Sequence, residues 1–259
     1  MDREKNYRSF YKNTDFIIFD NRNWNHRLVN RKRKYILEVN KNRRLPKTGI
    51  LFVDVLDKIE FRKGSKVLDV GTGDTGILAV HCWACGADEV TGIDISAVSI
   101  KEARINARRN RMNMYFYCKS IFKYKPKKKF DLIISNPPLM PVKKYNSSHD
   151  DGGKDGKKLI NELIPFSAKY LKKKGILLFS LFDFLGTDCS YNNQASIFDL
   201  LKDFGFKARI IKKQRRFVSS TSYTYKNKRW IESVYPNFKF KKIKNGYCHY
   251  FYLVKAVKV

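Results

Sequence analysis

The chain has 259 residues, 43 % of them hydrophobic, which is enough for one large domain with a buried core and too apolar for a disordered segment. Lysine and arginine number 54 against 24 aspartates and glutamates, and the formal net charge of +30 points to a polyanionic partner such as RNA. Glutamate is scarce, seven residues beside seventeen aspartates, so the basicity exceeds a lysine-rich coding bias; no apolar run approaches the roughly 18 residues of a membrane span.

Residues 1–46 read as a basic extension with no apolar signal core, carrying the run Arg31-Lys32-Arg33-Lys34, then Lys41, Arg43 and Arg44, and one candidate strand at 35–39. Pro46 to Gly49 breaks the chain, and 50–59 places apolar residues at helical spacing. From Lys66 short apolar runs alternate with helical stretches, the pattern of a parallel sheet made of βαβ units. Strands are expected at 66–70, 89–93, 114–117, 132–135 and 176–182, with helices at 76–85, 97–109, 156–173 and 193–204. A strand at 207–212 and an alternating one at 247–257 fit an antiparallel pair, separated by an insertion over 217–246. The five scattered cysteines (Cys82, Cys85, Cys118, Cys189, Cys248) fit reduced thiols in a cytoplasm.

Two segments carry chemistry. In the first, a strand ends in Asp69-Val70-Gly71-Thr72-Gly73-Asp74-Thr75-Gly76, glycines that let a ligand approach the backbone closely. The glycines also spell a dinucleotide fingerprint, but a carboxylate at Asp69 would repel a pyrophosphate. It suits a cationic amine, which favours S-adenosylmethionine, with Asp94 as ribose acceptor and Ile95 against the adenine. In the second, the apolar strand Leu132-Ile133-Ile134-Ser135 stops at Asn136-Pro137-Pro138-Leu139. The prolines carry no N–H, so the Asn136 side-chain oxygen and the Pro137 carbonyl can both accept from one NH₂ group and turn its lone pair toward a methyl donor.

On these residues the sequence resembles the class I S-adenosylmethionine-dependent methyltransferases, in their Asn-Pro-Pro branch, over about residues 46–210. That branch holds HemK-like glutamine methyltransferases and amino-nitrogen methyltransferases of DNA and RNA. The resemblance implies a Rossmann-like α/β fold of seven strands whose last strand is antiparallel. It implies catalysis at Asn136, Pro137, Pro138 and Leu139. Cofactor contacts would come from Asp69, Gly71, Thr72, Gly73, Asp94, Ile95, Ser120 and Asn136. The stretch Asp151-Gly152-Gly153-Lys154-Asp155-Gly156 is similar to the loop that opens the next helix in the HemK-like enzymes, with Asp155 as an N-cap. The chain departs from the family at Thr75, which stands where a glycine is usual; at Ser120, where an acidic residue usually holds the adenine amino group; and at Leu139, which replaces a stacking aromatic.

No metal is expected: His81, Cys82 and Cys85 lack a second ligand pair and read as core, and His149 reads as a surface histidine. The insertion interleaves Tyr223, Tyr225, Trp230, Tyr235, Phe238 and Phe240 with seven cations, which suits either a single-strand RNA contact or packing onto the sheet. The expected function is N-methylation of a planar amino or amide nitrogen. RNA or a ribosomal particle is the favoured acceptor, the glutamine of a release factor and a small molecule are alternatives, and a non-catalytic nucleic-acid-binding module is the alternative outside enzymes.

Overall fold

Alternation of apolar and polar residues makes three strands near the start of the chain, where the sequence offered one. In the computed structural model, which describes residues 11–20, 25–40, 42–43, 45–144 and 150–259, β1 (Phe16–Asp20), β2 (Asn25–Asn30) and β3 (Tyr35–Asn40) form an antiparallel sheet. Phe16, Leu28, Tyr35, Leu37 and Val39 lie on its buried face. Residues 1–10, Lys41, Arg44 and His149 lie outside the described residues.

The chain divides into two units, residues 1–125 and 126–259. In the first, α1 (Lys47–Leu56) buries Ile50, Phe52, Val53 and Leu56. β4 (Lys66–Val70), β5 (Glu89–Asp94) and β6 (Tyr115–Cys118) then form parallel ladders in that order, joined by α2 (Ile77–Ala84) and α3 (Ala97–Arg109). β4 and α3 fall where the sequence placed them. The first sheet joins the same unit through α3: Asn110 Oδ1 accepts from Ile36 N at 2.8 Å, and Asn106 Oδ1 from Glu38 N at 2.8 Å.

In the second unit β7 (Phe130–Ser135) runs parallel to β8 (Leu171–Phe182), with α4 (Ile160–Tyr170) between them. The helix starts four residues later than expected, because Gly156 stands at φ +79° and the Asp155 carboxylate takes the Lys157 N–H in a local turn instead of capping a helix. α5 (Ile197–Asp203) opens with a capping box between Ser196 and Asp199. β9 (Phe206–Val218) runs six residues beyond its expected end because β11 (Gly246–Lys258) pairs with it throughout, from Tyr247 opposite Val218 to Lys258 opposite Phe206. β11 also pairs antiparallel with β8 and with the short β10 (Lys241–Ile243). The insertion holds two short helices, α6 (Tyr223–Lys226) and α7 (Lys228–Val234). No helix among the described residues is long and apolar enough to cross a membrane.

Candidate active site

Both chemistry-bearing segments sit where parallel strands end, the edge at which open α/β sheets bind ligands. In the first unit the turn after β4 puts Gly71, Gly73 and Gly76 all at positive φ. The displaced third glycine is therefore used: Gly76 takes the left-handed N-cap position of α2, where a Cβ would stand 3.2 Å from that of Ala103. Gly71 N and Thr72 N both donate to the Ile93 carbonyl, and Gly73 N donates to Asp94 Oδ2 at 3.0 Å. Asp94 Oδ1 accepts from Ser96 N, while Ser96 itself caps α3, so Asp94 fastens the glycine turn to the next turn with one oxygen on each side.

Asp69 lies beneath this turn and is fully buried. Its Oδ2 accepts from Thr72 Oγ1 at 2.7 Å and from Ala79 N at 3.2 Å, while its buried Oδ1 has no partner. Burial raises the carboxyl pKa to about 7 against those two donors, with the charge of Asp94 adding to the rise. An unpartnered buried oxygen suits a ligand ammonium, and carboxylate oxygens with lone pairs to spare on Asp94 suit a ribose diol. Ile95 is 66 % exposed beside Asp94, an apolar face open to a flat ring. Ser120 lies two residues beyond Cys118, the partner of Asp94 in the ladder, and accepts from Phe122 N at 3.3 Å.

In the second unit Asn136 follows β7, and its Oδ1 accepts from Ser180 Oγ of β8 at 2.8 Å. Pro137 is buried and Leu139 is 4 % exposed. The glycine loop explains the burial of Leu139. A Cβ on Gly156 would stand 2.6 Å from the Leu139 carbonyl oxygen, and one on Gly152 2.9 Å from the Leu139 carbonyl carbon, so only glycines allow the loop to lie on the signature. The insertion in turn holds the loop. Trp230 Nε1 donates to the Lys154 carbonyl at 2.9 Å, Tyr235 OH donates to the Asp155 carbonyl at 2.6 Å, and the Lys157 ammonium lies 5.5 Å from the Tyr235 ring. Burial lowers the Lys157 pKa, partly offset by Asp155.

Of the insertion's aromatics, Tyr235, Phe238 and Phe240 are buried, the last two against Phe184. Packing therefore accounts for these three rings, which are not free for bases. Ser180 was missed at the sequence level, although a single hydroxyl inside the buried run Leu177 to Leu181 was a visible signal. Trp230 and Tyr235 were read for a different role.

His81 and Cys85 lie beside Asp57, close enough for their ligand-type atoms to share an ion. Both Asp57 oxygens, however, already accept at 2.7 Å from Lys32 and Arg33. Burial lowers the His81 pKa to about 4 despite Asp57, and Tyr35 OH lies 3.0 Å from its Nδ1. The cluster is a buried polar network that ties β3 to α2.

A family model described as the methyltransferase small domain matches residues 39–218. The chain belongs to this family. It is 32 % identical over 154 residues to a putative protein N5-glutamine methyltransferase of Methanocaldococcus jannaschii, covering 57 % of this chain and 74 % of that one. It is 34 % identical over 182 residues to a release factor glutamine methyltransferase of Fusobacterium nucleatum, covering 63 % of this chain but 51 % of the other, about half its length. A putative transferase of Pyrococcus horikoshii shares the fold, with a TM-score of 0.55 at 12 % identity over 99 % of this chain and 83 % of that one. As a methyltransferase small domain the protein is a class I α/β enzyme whose cofactor is S-adenosylmethionine. The orphaned Oδ1 of Asp69 and the exposed Ile95 beside Asp94 fit that cofactor's ammonium and adenine.

Proposed function

We propose that the enzyme methylates the side-chain amide nitrogen of a glutamine in a protein of the translation machinery. The observation that carries this reading is the pinned Asn136. With one lone pair of Oδ1 given to Ser180, the side chain keeps a fixed rotamer and offers another lone pair, beside the Pro137 carbonyl, to an NH₂ group. An amide held by both hydrogens presents its nitrogen lone pair to the methyl group. S-adenosylmethionine, when bound, would supply that methyl from its sulfonium sulfur, and the amide nitrogen would give up a proton to solvent as it is methylated. Positioning of this kind removes much of the entropic barrier. Leu139 supports an amide over a nucleobase, since a nearly buried aliphatic side chain gives a flat ring no stacking surface worth the roughly 1 to 3 kcal/mol of an aromatic platform.

Asp69, Gly71, Thr72, Gly73, Asp94, Ile95 and Ser120 would hold the cofactor, and Asn136 to Leu139 the acceptor. The five unpaired cysteines suit a cytoplasmic setting. An amino group of RNA is the second reading, favoured by the net charge of +30. Incubation of the enzyme with isotopically labelled S-adenosylmethionine and a translation extract, followed by mass spectrometry of peptides and nucleosides, tests both. A methylated glutamine is the expected product; label found in a nucleoside and in no peptide would overturn the proposal.

A further inference from the structure

The strongest unassigned feature is an uncompensated cation on the sheet face of the second unit that carries Ser180. Residues paired across adjacent strands share a face of the sheet, as do residues two apart along one strand. Leu253 of β11 pairs with Ser180 of β8; Phe251 pairs with Phe182 on one side and with Gln214 of β9 on the other; His249 pairs with Arg216. The register shift between β9 and β11 falls between Leu253 and Val254, outside this stretch. Ser180, which fixes Asn136, therefore shares a face with Gln214 and Arg216. Lys213 and Arg215, opposite Tyr252 and Tyr250, stand on the other face.

The Arg216 guanidinium lies 5.0 Å from the Phe251 ring centroid, and its Nε and Nη2 are buried with no hydrogen-bond partner. Burial alone lowers its pKa, and no carboxylate of the described residues offsets it. The acids around this face are engaged elsewhere. Asp183 accepts from Phe184 N and Tyr250 N at 2.9 Å beside His249, and Glu232 pairs at 2.7 Å with Lys228, whose ammonium lies over the Tyr247 ring. A buried charge left without a partner is costly, and the planar fork of a guanidinium matches a carboxylate. Gln214 Oε1 is also buried and unpartnered, so the same face offers an acceptor two positions away from the donors. A peptide with an acidic side chain answers both, with carboxylate oxygens for Arg216 and N–H groups for Gln214. Burial also selects the form of the anion. A phosphodiester carries a sugar on either side and cannot bring its oxygens to buried nitrogens, whereas a carboxylate at the end of a flexible side chain can.

The register sets the distance to the acceptor. Leu253 to His249 is about 14 Å along β11, and β8 to β9 is two strand spacings or about 10 Å, which puts Arg216 about 17 Å from Ser180. We propose that Arg216 is a specificity-determining residue that takes an aspartate or glutamate side chain of the protein substrate, about five extended residues from the methylated glutamine. This inference rests on the glutamine reading above.

Fluorescence anisotropy of the full chain with short labelled peptides, each carrying one Gln and one Glu at increasing separation, tests it. Peptides with a separation of about five residues should bind about tenfold more tightly than counterparts with Ala in place of Glu, the strength of one charge-assisted hydrogen bond. Arg216→Met should abolish that preference and leave S-adenosylmethionine affinity unchanged. Its Tm should be unchanged or higher, because an apolar side chain of similar length removes an uncompensated buried charge. Arg215→Gln, on the opposite face, should keep the preference. No preference at any separation, a preference that survives Arg216→Met or is lost equally in Arg215→Gln, a lowered Tm in Arg216→Met, or Arg216-dependent binding of a single-stranded RNA in place of the peptides would each overturn the proposal. Binding is read without methyl transfer, so the preference found together with methyl label in nucleosides alone would support the carboxylate site and overturn the glutamine acceptor instead.

Discussion

Asp69 should make cofactor binding depend on pH, and the dependence can be worked from its surroundings. Buried, with one oxygen bound to Thr72 and Ala79 and the other unpartnered, its carboxyl titrates at about 7 in the free protein. A ligand ammonium against Oδ1 holds the ionised form, so binding below pH 7 must expel a proton. Apparent affinity should fall about fivefold from pH 7 to pH 6 and about tenfold more to pH 5. The cofactor's α-amino group stays charged throughout this range. Calorimetry in two buffers of different ionisation enthalpy should count about 0.9 proton released per cofactor bound at pH 6. The Asp69→Asn protein should bind more weakly at pH 7 and show neither the slope nor the proton. A wild-type affinity flat between pH 5 and pH 7 would refute the reasoning and leave Asp69 as a fastening for the glycine turn.

Further expectations follow from single contacts. Asn136→Ala should abolish turnover with S-adenosylmethionine affinity intact; Ser180→Ala, which removes one hydrogen bond of about 1 kcal/mol, should lower kcat about fivefold in the same assay. Gly156→Ala forces a side chain into a left-handed position 2.6 Å from a carbonyl oxygen, and a loss of about 3 kcal/mol should lower Tm by about 6 to 12 °C. Tyr235→Phe leaves the Asp155 carbonyl without its donor and should raise KM for the protein substrate several-fold while the cofactor's Kd holds. His81, whose folded pKa near 4 lies below the unfolded 6.5, loses up to about 3 kcal/mol of stability as pH falls between those values; Asp69, raised from 3.8 to about 7, gains in nearly the same window. The two offset in the wild type, so acid should lower the Tm of Asp69→Asn more steeply than that of the parent.

The parallel strands were legible because each is a short apolar run between a turn and a helix pattern. β4 lies at the expected residues, and Asn136 falls at the end of β7. The first sheet was not legible beyond Tyr35 to Val39, since β1 and β2 bury only one face and carry polar residues such as Asn25 and Arg27. β9 was cut short for the same reason. After Lys212 its residues alternate between exposed cations and half-buried positions, and only pairing with β11 identifies the stretch as strand.

Composition alone could not decide between burial and recognition in the insertion. Rings mixed with lysines suit a nucleic-acid groove as well as a packed cover, and the difference lies in partners distant in sequence. Phe238 and Phe240 meet Phe184, and Tyr235 reaches Asp155, contacts across 54, 56 and 80 positions that no local pattern encodes. The charge poses the converse problem. A net +30 announces a polyanion without saying where it lies, and the bulge in β9 against β11 sets Lys207 and Arg209 on the face opposite that of Lys213 and Arg215. The buried Tyr235 braces the loop at Asp155, where rigidity serves positioning, whereas exposed cations act by long-range attraction over a Debye length of about 8 Å, which needs no fixed geometry.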